Sequence, residues 1–500
     1  MSTDKKNIEP KIPIKLLVDE NQTRLLAAEA PSDFVNVLLS FLTLPLGTVV
    51  RVTKSHPGSI GCMNNLYQSI EQLSADNFCT EACKSILLSP RNPRALVCKN
   101  LKLNIDDTSN GICFSCNYNY CGRKSHYPCT KCVCGRIANT EISEESQPSD
   151  PKHFVGRMIM YVISDDLQVL PGNPNSLAQL LCNLGLSDVD QVEELSVDVG
   201  LEELLKHSLV SKTPLTDVFL GERKLANNSI PVDPRNSPTP SSENRTSPNH
   251  TEFRVKLILS KSQNKILGLL VREDFIDFLF SFCTVPLGSV VKLLDLNSGV
   301  GCVDNLYRTV EILDSEWLAI SKNEIINAGV LKQYKTVENL DSELLAIPKN
   351  ELINVGVLKQ YKCKNNPLQI RDAINISNLL DPRGPTGSVD CFGRFMEARY
   401  WFVVSDKLVV TPLSSPSSSI SFLKELNVPL NDIAEQEETI GETETLALLK
   451  ASLTSSSALN NCFKSSINQK LNKRYDIIWL VVLNCATCMG LMIGFLLDDI

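Results

Sequence analysis

Residues 15–52 read KLLVDENQTRLLAAEAPSDFVNVLLSFLTLPLGTVVRV, and residues 256–293 read KLILSKSQNKILGLLVREDFIDFLFSFCTVPLGSVVKL. Phe34 aligns with Phe275, Pro45 with Pro286 and Gly47 with Gly288. Three further blocks recur in the same order. GCMNNLYQSIEQL at 61–73 answers GCVDNLYRTVEIL at 301–313, YVISDDLQVLP at 161–171 answers FVVSDKLVVTP at 402–412, and LLKHSL at 204–209 answers LLKASL at 448–453. Four ordered blocks at a nearly constant offset do not arise by chance, so the chain reads as two diverged copies of one module in tandem.

Each copy opens with two apolar runs around a polar turn, DENQ at 19–22 and SKSQN at 260–264, which is the pattern of a β-hairpin. Apolar residues at 34, 35, 37, 38, 41 and 42 predict a buried helix, with Ser32 or Asp33 as its cap and Pro45 with Gly47 as its stop. Val49, Val50 and Val52 predict a strand, and the block at 61–73 a second helix with Leu66, Ile70 and Leu73 inward. A further hairpin is expected around Ser164–Asp165 and Ser405–Asp406, and a helical tail at Leu201, Leu204, Leu205 and Leu209. Locally paired strands with interspersed helices and no regular βαβ alternation place the fold in the α+β class, with a zinc loop inserted in the first copy.

The expected organisation is a first module over 11–220, a linker over 221–252 rich in Pro, Ser and Asn, and a second module over 253–465. Ser237, Thr239 and Ser247 in the linker each precede proline, the context of proline-directed phosphorylation, although a plain spacer reads the same way. Within the second copy, residues 309–335 are followed by a near-identical run at 336–362, a 27-residue duplication of surface-insertion type over 309–362.

The 500 residues exceed one ordinary core, and 43% hydrophobic with 21% charged residues is the composition of a folded protein. A net charge of −8 gives no global reason to bind nucleic acid. The first residues, MSTDKKNIEPK, lack the apolar core of a secretory signal, so a cytoplasmic body with reduced thiols is expected.

Nine of the 18 cysteines fall between Cys79 and Cys134. Zinc takes about four thiolate or imidazole ligands in a tetrahedron, and turns carrying cysteine pairs supply two each. In the segment ICFSCNYNYCGRKSHYPCTKCVCG, residues 112–135, two overlapping quartets qualify. Cys113, Cys116, Cys129 and Cys132 have the C-x2-C-x12-C-x2-C spacing of a ribbon; Cys116, Cys121, Cys132 and Cys134 form C-x4-C and C-x-C-G arms. His126 is an alternate ligand. Small thiols buried in a loop are the plain alternative, but a stretch rich in Asn, Gly, Lys and Tyr offers little core to bury them. The second copy keeps Cys363 and Cys391 in the equivalent region and so is expected to have lost the site. From Cys79 to Arg136 nine Lys or Arg face three Asp or Glu, with Tyr118, Tyr120 and Tyr127 interleaved. Such a segment suits nucleic acid, but it is more commonly the solvated surface of a zinc loop.

The five histidines are His56, His126, His153, His207 and His250, and no HExxH, GxSxG, Walker A or GxGxxG pattern occurs. Residues 477–497, IIWLVVLNCATCMGLMIGFLL, carry no charge. Lys470, Lys473 and Arg474 precede them, and Asp498 and Asp499 follow. Their length suits a C-terminal transmembrane anchor with the body in the cytosol; a buried terminal helix would read the same way.

The opening hairpin, the F-x-x-x-L-x-S-F-x-T-x-P-L-G-x-V-V block, the G-C-x-x-N-L-Y block and the Cys-x-Cys-Gly element ending at Gly135 together resemble a plant-specific family known as a domain of unknown function. The resemblance covers roughly 11–219 and 253–463. It implies Cys116, Cys121, Cys132 and Cys134 as the recurrent set, and it brings no established activity. The 27-residue duplication, the depleted second cluster and the apolar tail depart from the family pattern. The expectation is therefore a non-enzymatic, zinc-stabilised interaction or scaffold protein with an unknown protein partner. The rivals are an enzyme of unrecognised type and a nucleic-acid-binding module.

Overall fold

Strand β1 (Ile12–Asp19) turns back into β2 (Leu25–Ala30) through a polar turn that Asp19 closes, its carboxylate accepting from the backbone N–H groups of Thr23 at 2.7 Å and Arg24 at 2.9 Å. The corresponding strands later in the chain are β10 (Phe253–Ser260) and β11 (Lys265–Val271). Both hairpins carry a register irregularity at the same place, between Leu17 and Val18 and between Ile258 and Leu259. The computed structural model describes residues 9–463 except 55–59, 109–111, 118–120, 144–152, 156–159, 187, 208–210, 222–251, 313–354, 359–360, 364, 369, 371, 374–378, 385–392 and 399–400.

Three antiparallel sheets and the helices packed on them make a mixed α/β fold. In chain order the remaining strands are β3 (Ile112–Cys116), β4 (Lys124–Ser125), β5 (Thr130–Lys131), β6 (Ile137–Ser143), β7 (Tyr161–Ile163), β8 (Val169–Pro171), β9 (Val192–Val199), β12 (Trp401–Ser405), β13 (Val410–Leu413) and β14 (Ile433–Ile440). One sheet runs β8-β7-β2-β1-β9 and a second β13-β12-β11-β10-β14; a small third sheet, β4-β3-β6-β5, carries the cysteine-rich segment. Edge strands β9 and β14 were not expected from the sequence, because VEELSVDV and IAEQEETI are too acidic to look like core. They leave one face wet, and their charged side chains deter further strand pairing at a free edge.

Helix α1 (Ser32–Ser40) buries Phe34, Val35, Val37, Leu38 and Leu39. Pro31, rather than Ser32 or Asp33, stands at its N-cap, with no side-chain cap bond; Asp33 instead complements the helix dipole from the first turn. A short 3-10 turn, Phe41–Thr43, ends the run before Pro45. The strand expected at Val49, Val50 and Val52 is a helix, α2 (Leu46–Thr53). Its buried residues, Leu46, Gly47, Thr48, Val49, Val50 and Thr53, include a helical i, i+3, i+4, i+7 set in Leu46, Val49, Val50 and Thr53, and this packing outweighs the strand preference of β-branched side chains. Helix α3 (Met63–Gln72) follows as expected, with Leu66, Ile70 and the next residue Leu73 buried.

The two halves interlock. At the centre Leu46 N–H donates to the Val285 carbonyl and Leu287 N–H to the Leu44 carbonyl, both at 2.9 Å, so the two Pro-Leu-Gly turns pair with each other. A Cβ on Gly47 would lie 2.9 Å from the Leu87 carbonyl oxygen and 3.0 Å from that of Cys283, so this close approach requires glycine. Asn65 on α3 donates to the Lys407 carbonyl in the β12–β13 turn; reciprocally, Asn305 on the helix Val303–Ile312 donates to the Asp166 carbonyl in the β7–β8 turn. Ser69 accepts from Val410 N–H, and Thr309 from Val169 N–H. The recurring G-C-x-x-N-L-Y and Ser-Asp blocks thus bind each other across the halves, and one apolar core runs through both, from Leu16 and Phe34 to Phe278 and Phe402.

Among the described residues no helix is long and apolar enough to cross a membrane. The expected anchor at 477–497 lies outside the described residues, as do most of the linker and most of the 309–362 duplication.

Candidate metal centre

The third sheet brings two turns that carry cysteines close together. Strand β3 ends at Cys116, whose N–H donates to the Arg123 carbonyl at 3.1 Å, so that the chain returns through Cys121 and Gly122 into β4. On the other side, Cys132 N–H donates to the Arg136 carbonyl at 2.7 Å and Gly135 N–H to the Cys132 carbonyl at 2.9 Å, a tight knuckle carrying Cys132 and Cys134. Each arm turns on a glycine directly after a cysteine, Gly122 at φ +56° and Gly135 at φ +83°, a backbone region that side chains resist.

The sulfurs of Cys116, Cys121, Cys132 and Cys134 all lie within 4.8 Å of one another, and this cluster can hold a metal ion. Cys116 Sγ stands 3.3 Å from Cys134 Sγ, and Cys121 Sγ 3.2 Å from Cys132 Sγ. A tetrahedral thiolate site with metal–sulfur bonds of about 2.3 Å has sulfur–sulfur edges of about 3.8 Å, so these two pairs would open slightly to accept an ion. Cys116 and Cys132 are buried, Cys121 is half-buried and Cys134 exposed. Burial, first of all, pushes the Cys132 thiol up to about 12. The backbone N–H of Arg136, followed by the Cys116 thiol, brings Cys134 down to about 7. Negative charge therefore settles first on the solvent-facing sulfur, and a bound cation would draw the remaining protons off.

The alternates Cys113, Cys129 and His126 are not among the four residues that converge. Cys113 is buried in β3, Cys129 is exposed at φ +59°, and His126 is buried beside β4. In the second half Cys363 is buried, and its thiol donates to the Asp277 carbonyl at 3.2 Å; Cys391 lies outside the described residues.

The wall beneath the sulfurs comes from the second half. Leu380, fully buried, packs with Cys116, Cys132 and Ala138, with Phe114 and Cys121 alongside. Its N–H donates to the Lys124 carbonyl at 2.8 Å, and Leu379 bridges Lys124 in parallel. Tyr127 and Tyr361 share a hydroxyl–hydroxyl hydrogen bond of 2.8 Å, and Tyr127 also donates to the Ser89 carbonyl.

Sequence reasoning missed the buried ionic group next to this seat. Arg383 grips Asp381 with two bonds, Nε to Oδ1 and a terminal nitrogen to Oδ2, both 3.0 Å, with the side chains 0% and 1% exposed. Its other terminal nitrogen donates to the Lys362 carbonyl at 2.8 Å. Nearby Asp277 accepts from the N–H groups of Phe395 at 3.0 Å and Met396 at 2.8 Å. Asp277 was visible as a carboxylate inside the apolar run of 275–280; the DPRG run at 381–384 gave no such sign.

A family model described as a protein of unknown function, DUF674, matches residues 8–443. No curated protein and no solved structure matches the chain.

Proposed function

From the premise that the chain belongs to the DUF674 family, which carries no activity with it, we propose that the protein is a non-enzymatic scaffold whose cysteine-rich sheet is held by a structural zinc ion. The carrying observation is the convergence of four thiols from two Cys-Gly turns. Four protein ligands fill a tetrahedron, leaving no position for a substrate or an activated water, so such a site stabilises rather than catalyses. The matching strand orders and the recurring sequence blocks support an origin by duplication of a module, with copies over 11–220 and 253–465. On this reading the second copy gave up its thiol cluster while the first kept it.

Metal analysis of full-length protein prepared without chelator tests the proposal. One zinc per chain is expected, falling to none in Cys132→Ser; wild-type protein without zinc refutes it. A second reading, contact with nucleic acid, is favoured by the knuckle's surface, where Lys124, Lys131 and Arg136 are exposed beside Val133 and Ile137, 52% and 47% exposed. It requires oligonucleotide binding that weakens steeply with salt. A membrane tether through 477–497 belongs to the same proposal; carbonate should extract a version ending at Ser466 and leave the full chain behind.

A further inference from the structure

The four thiols belong to the first half of the chain, but the surface on which they rest does not. Leu380 closes the underside of the cluster, and its amide is tied to the strand that leads out of Cys121. The residues that follow it run straight into the buried Asp381–Arg383 pair. That pair is tied in turn to its surroundings: Asp381 accepts from Gly393 N–H at 3.2 Å, and the Arg383 guanidinium lies 5.0 Å from the centre of the Phe395 ring. Thr80, from the first half, donates to the Pro382 carbonyl at 2.9 Å. The segment 379–383 is thus threaded between the cysteine sheet and the shared core, with no strand or helix of its own to fix it.

A short segment outside any strand or helix, whose own hydrogen bonds are confined to the Asp381–Arg383 pair, holds its place largely through what touches it. Here that is the apolar seat of Cys116, Cys132 and Ala138, one backbone bond to Lys124, and the bonds around Asp381 and Arg383. The positions of Cys116 and Cys132 depend on the turns that bring four sulfurs together, and those turns enclose almost no core beyond this seat. We infer that the metal centre is a latch between the halves: the ion fixes the seat, the seat holds residues 379–383, and loss of the ion releases that segment with its buried ion pair. The latch rests on the metal reading above and assigns it a mechanical consequence.

Coupling of this kind is reciprocal. If the ion orders the seat, then Leu380 in the seat strengthens the grip on the ion, although it is no ligand. Residues that orient or shield metal ligands typically change affinity 10–100-fold when removed.

The experiment uses the full chain with its metal and two readouts. Hydrogen exchange is followed at the Leu380 amide before and after chelation, and zinc affinity is measured by competition with a metallochromic chelator. Chelation is expected to raise Leu380 exchange about tenfold or more, and Leu380→Ala to weaken zinc binding about tenfold or more with all four thiols intact. Tyr361→Phe, which removes the hydroxyl bond to Tyr127, supplies a milder second variant, expected to weaken zinc in the same direction. Leu204→Ala, a buried leucine outside the cysteine cluster, is expected to lower stability and leave zinc affinity unchanged. The latch is overturned if zinc is present and removable while Leu380 stays protected, or if Leu204→Ala weakens zinc as much as Leu380→Ala. Absence of zinc before chelation overturns the metal reading and the latch together, and the initial metal content separates the two failures.

Discussion

Asp277 stands in the second half where Asn36 stands in the first, and the two side chains do the same work. Asn36 Oδ1 accepts from Phe154 and Val155 N–H, as Asp277 Oδ1 accepts from Phe395 and Met396 N–H. The carboxylate carries an extra consequence. Burial raises its pKa from 3.8 to about 7, against the lowering effects of the Met396 N–H and the Arg383 charge. Between about pH 4 and pH 7 the unfolded chain has given up this proton while the folded chain still holds it, so stability declines as pH rises through that window and levels off above it. At about 1.4 kcal/mol per unit, the swing is on the order of 4 kcal/mol at most. Asp277→Asn keeps the acceptor oxygen and removes the titration. Denaturation from pH 4 to pH 9 should show the slope in wild type and its loss in the variant, which becomes the more stable protein above pH 7. A variant with the wild-type slope would contradict the assignment. In sequence Asp277 is visible as a charge in an apolar run, whereas Arg383 looks like any loop cation, because its burial depends on a carboxylate two residues away and a carbonyl far back at Lys362.

Elements specified by local signals were legible and those specified by distant contacts were not. The hairpins, α1 and α3 follow from period and turn chemistry over a few residues. Helix α2 was read as a strand because three valines lie close together, although Leu46, Val49, Val50 and Thr53 already hold helical spacing. The helical spacing is the local signal, and the crossing with the second half is what buries that face. The same crossing explains the recurring Pro-Leu-Gly. Gly47→Ala places a methyl 2.9 Å from the Leu87 carbonyl oxygen and 3.0 Å from that of Cys283, both backbone atoms that yield only by shifting the turns. A loss of about 1–3 kcal/mol is expected, despite alanine's better helix propensity. Chemical denaturation measures it, and an unchanged or raised midpoint would mean the turns can separate without cost. At the metal centre, spacing left two quartets open. Among the described residues Cys116, Cys121, Cys132 and Cys134 are the cysteines whose sulfurs converge, and the turns at Gly122 and Gly135 follow directly on Cys121 and Cys134.

Viewed whole, the described residues hold a pair of like-ordered five-stranded sheets, with the small cysteine-rich sheet beside them, and a helix of each half bonds to a turn of the other. Repetition in sequence commonly suggests beads on a string, and a linker at 221–252 strengthens that impression, but the apolar core here is continuous from one half to the other. Severing the chain in the linker therefore leaves each half with its share of that core in water. A fragment ending at Gly221 would expose Leu44, Leu46, Val49 and Leu66, all fully buried in the intact chain. At about 1.5–3 kcal/mol for each such side chain, their exposure costs on the order of 6–12 kcal/mol, comparable with the 5–15 kcal/mol by which an ordinary domain is stable. The lone fragment is expected to be unfolded or self-associated, since its own Pro-Leu-Gly turn is the nearest substitute for that of the second half. Mixing it with residues 252–463 should give a one-to-one complex with the cooperative melting of the full chain. Sedimentation equilibrium and thermal melts of the fragments, alone and mixed, decide the matter. A monomeric, cooperatively melting first half would show that the interlock is decorative, and with it would fall the argument that one half's metal centre can govern the other half's loop.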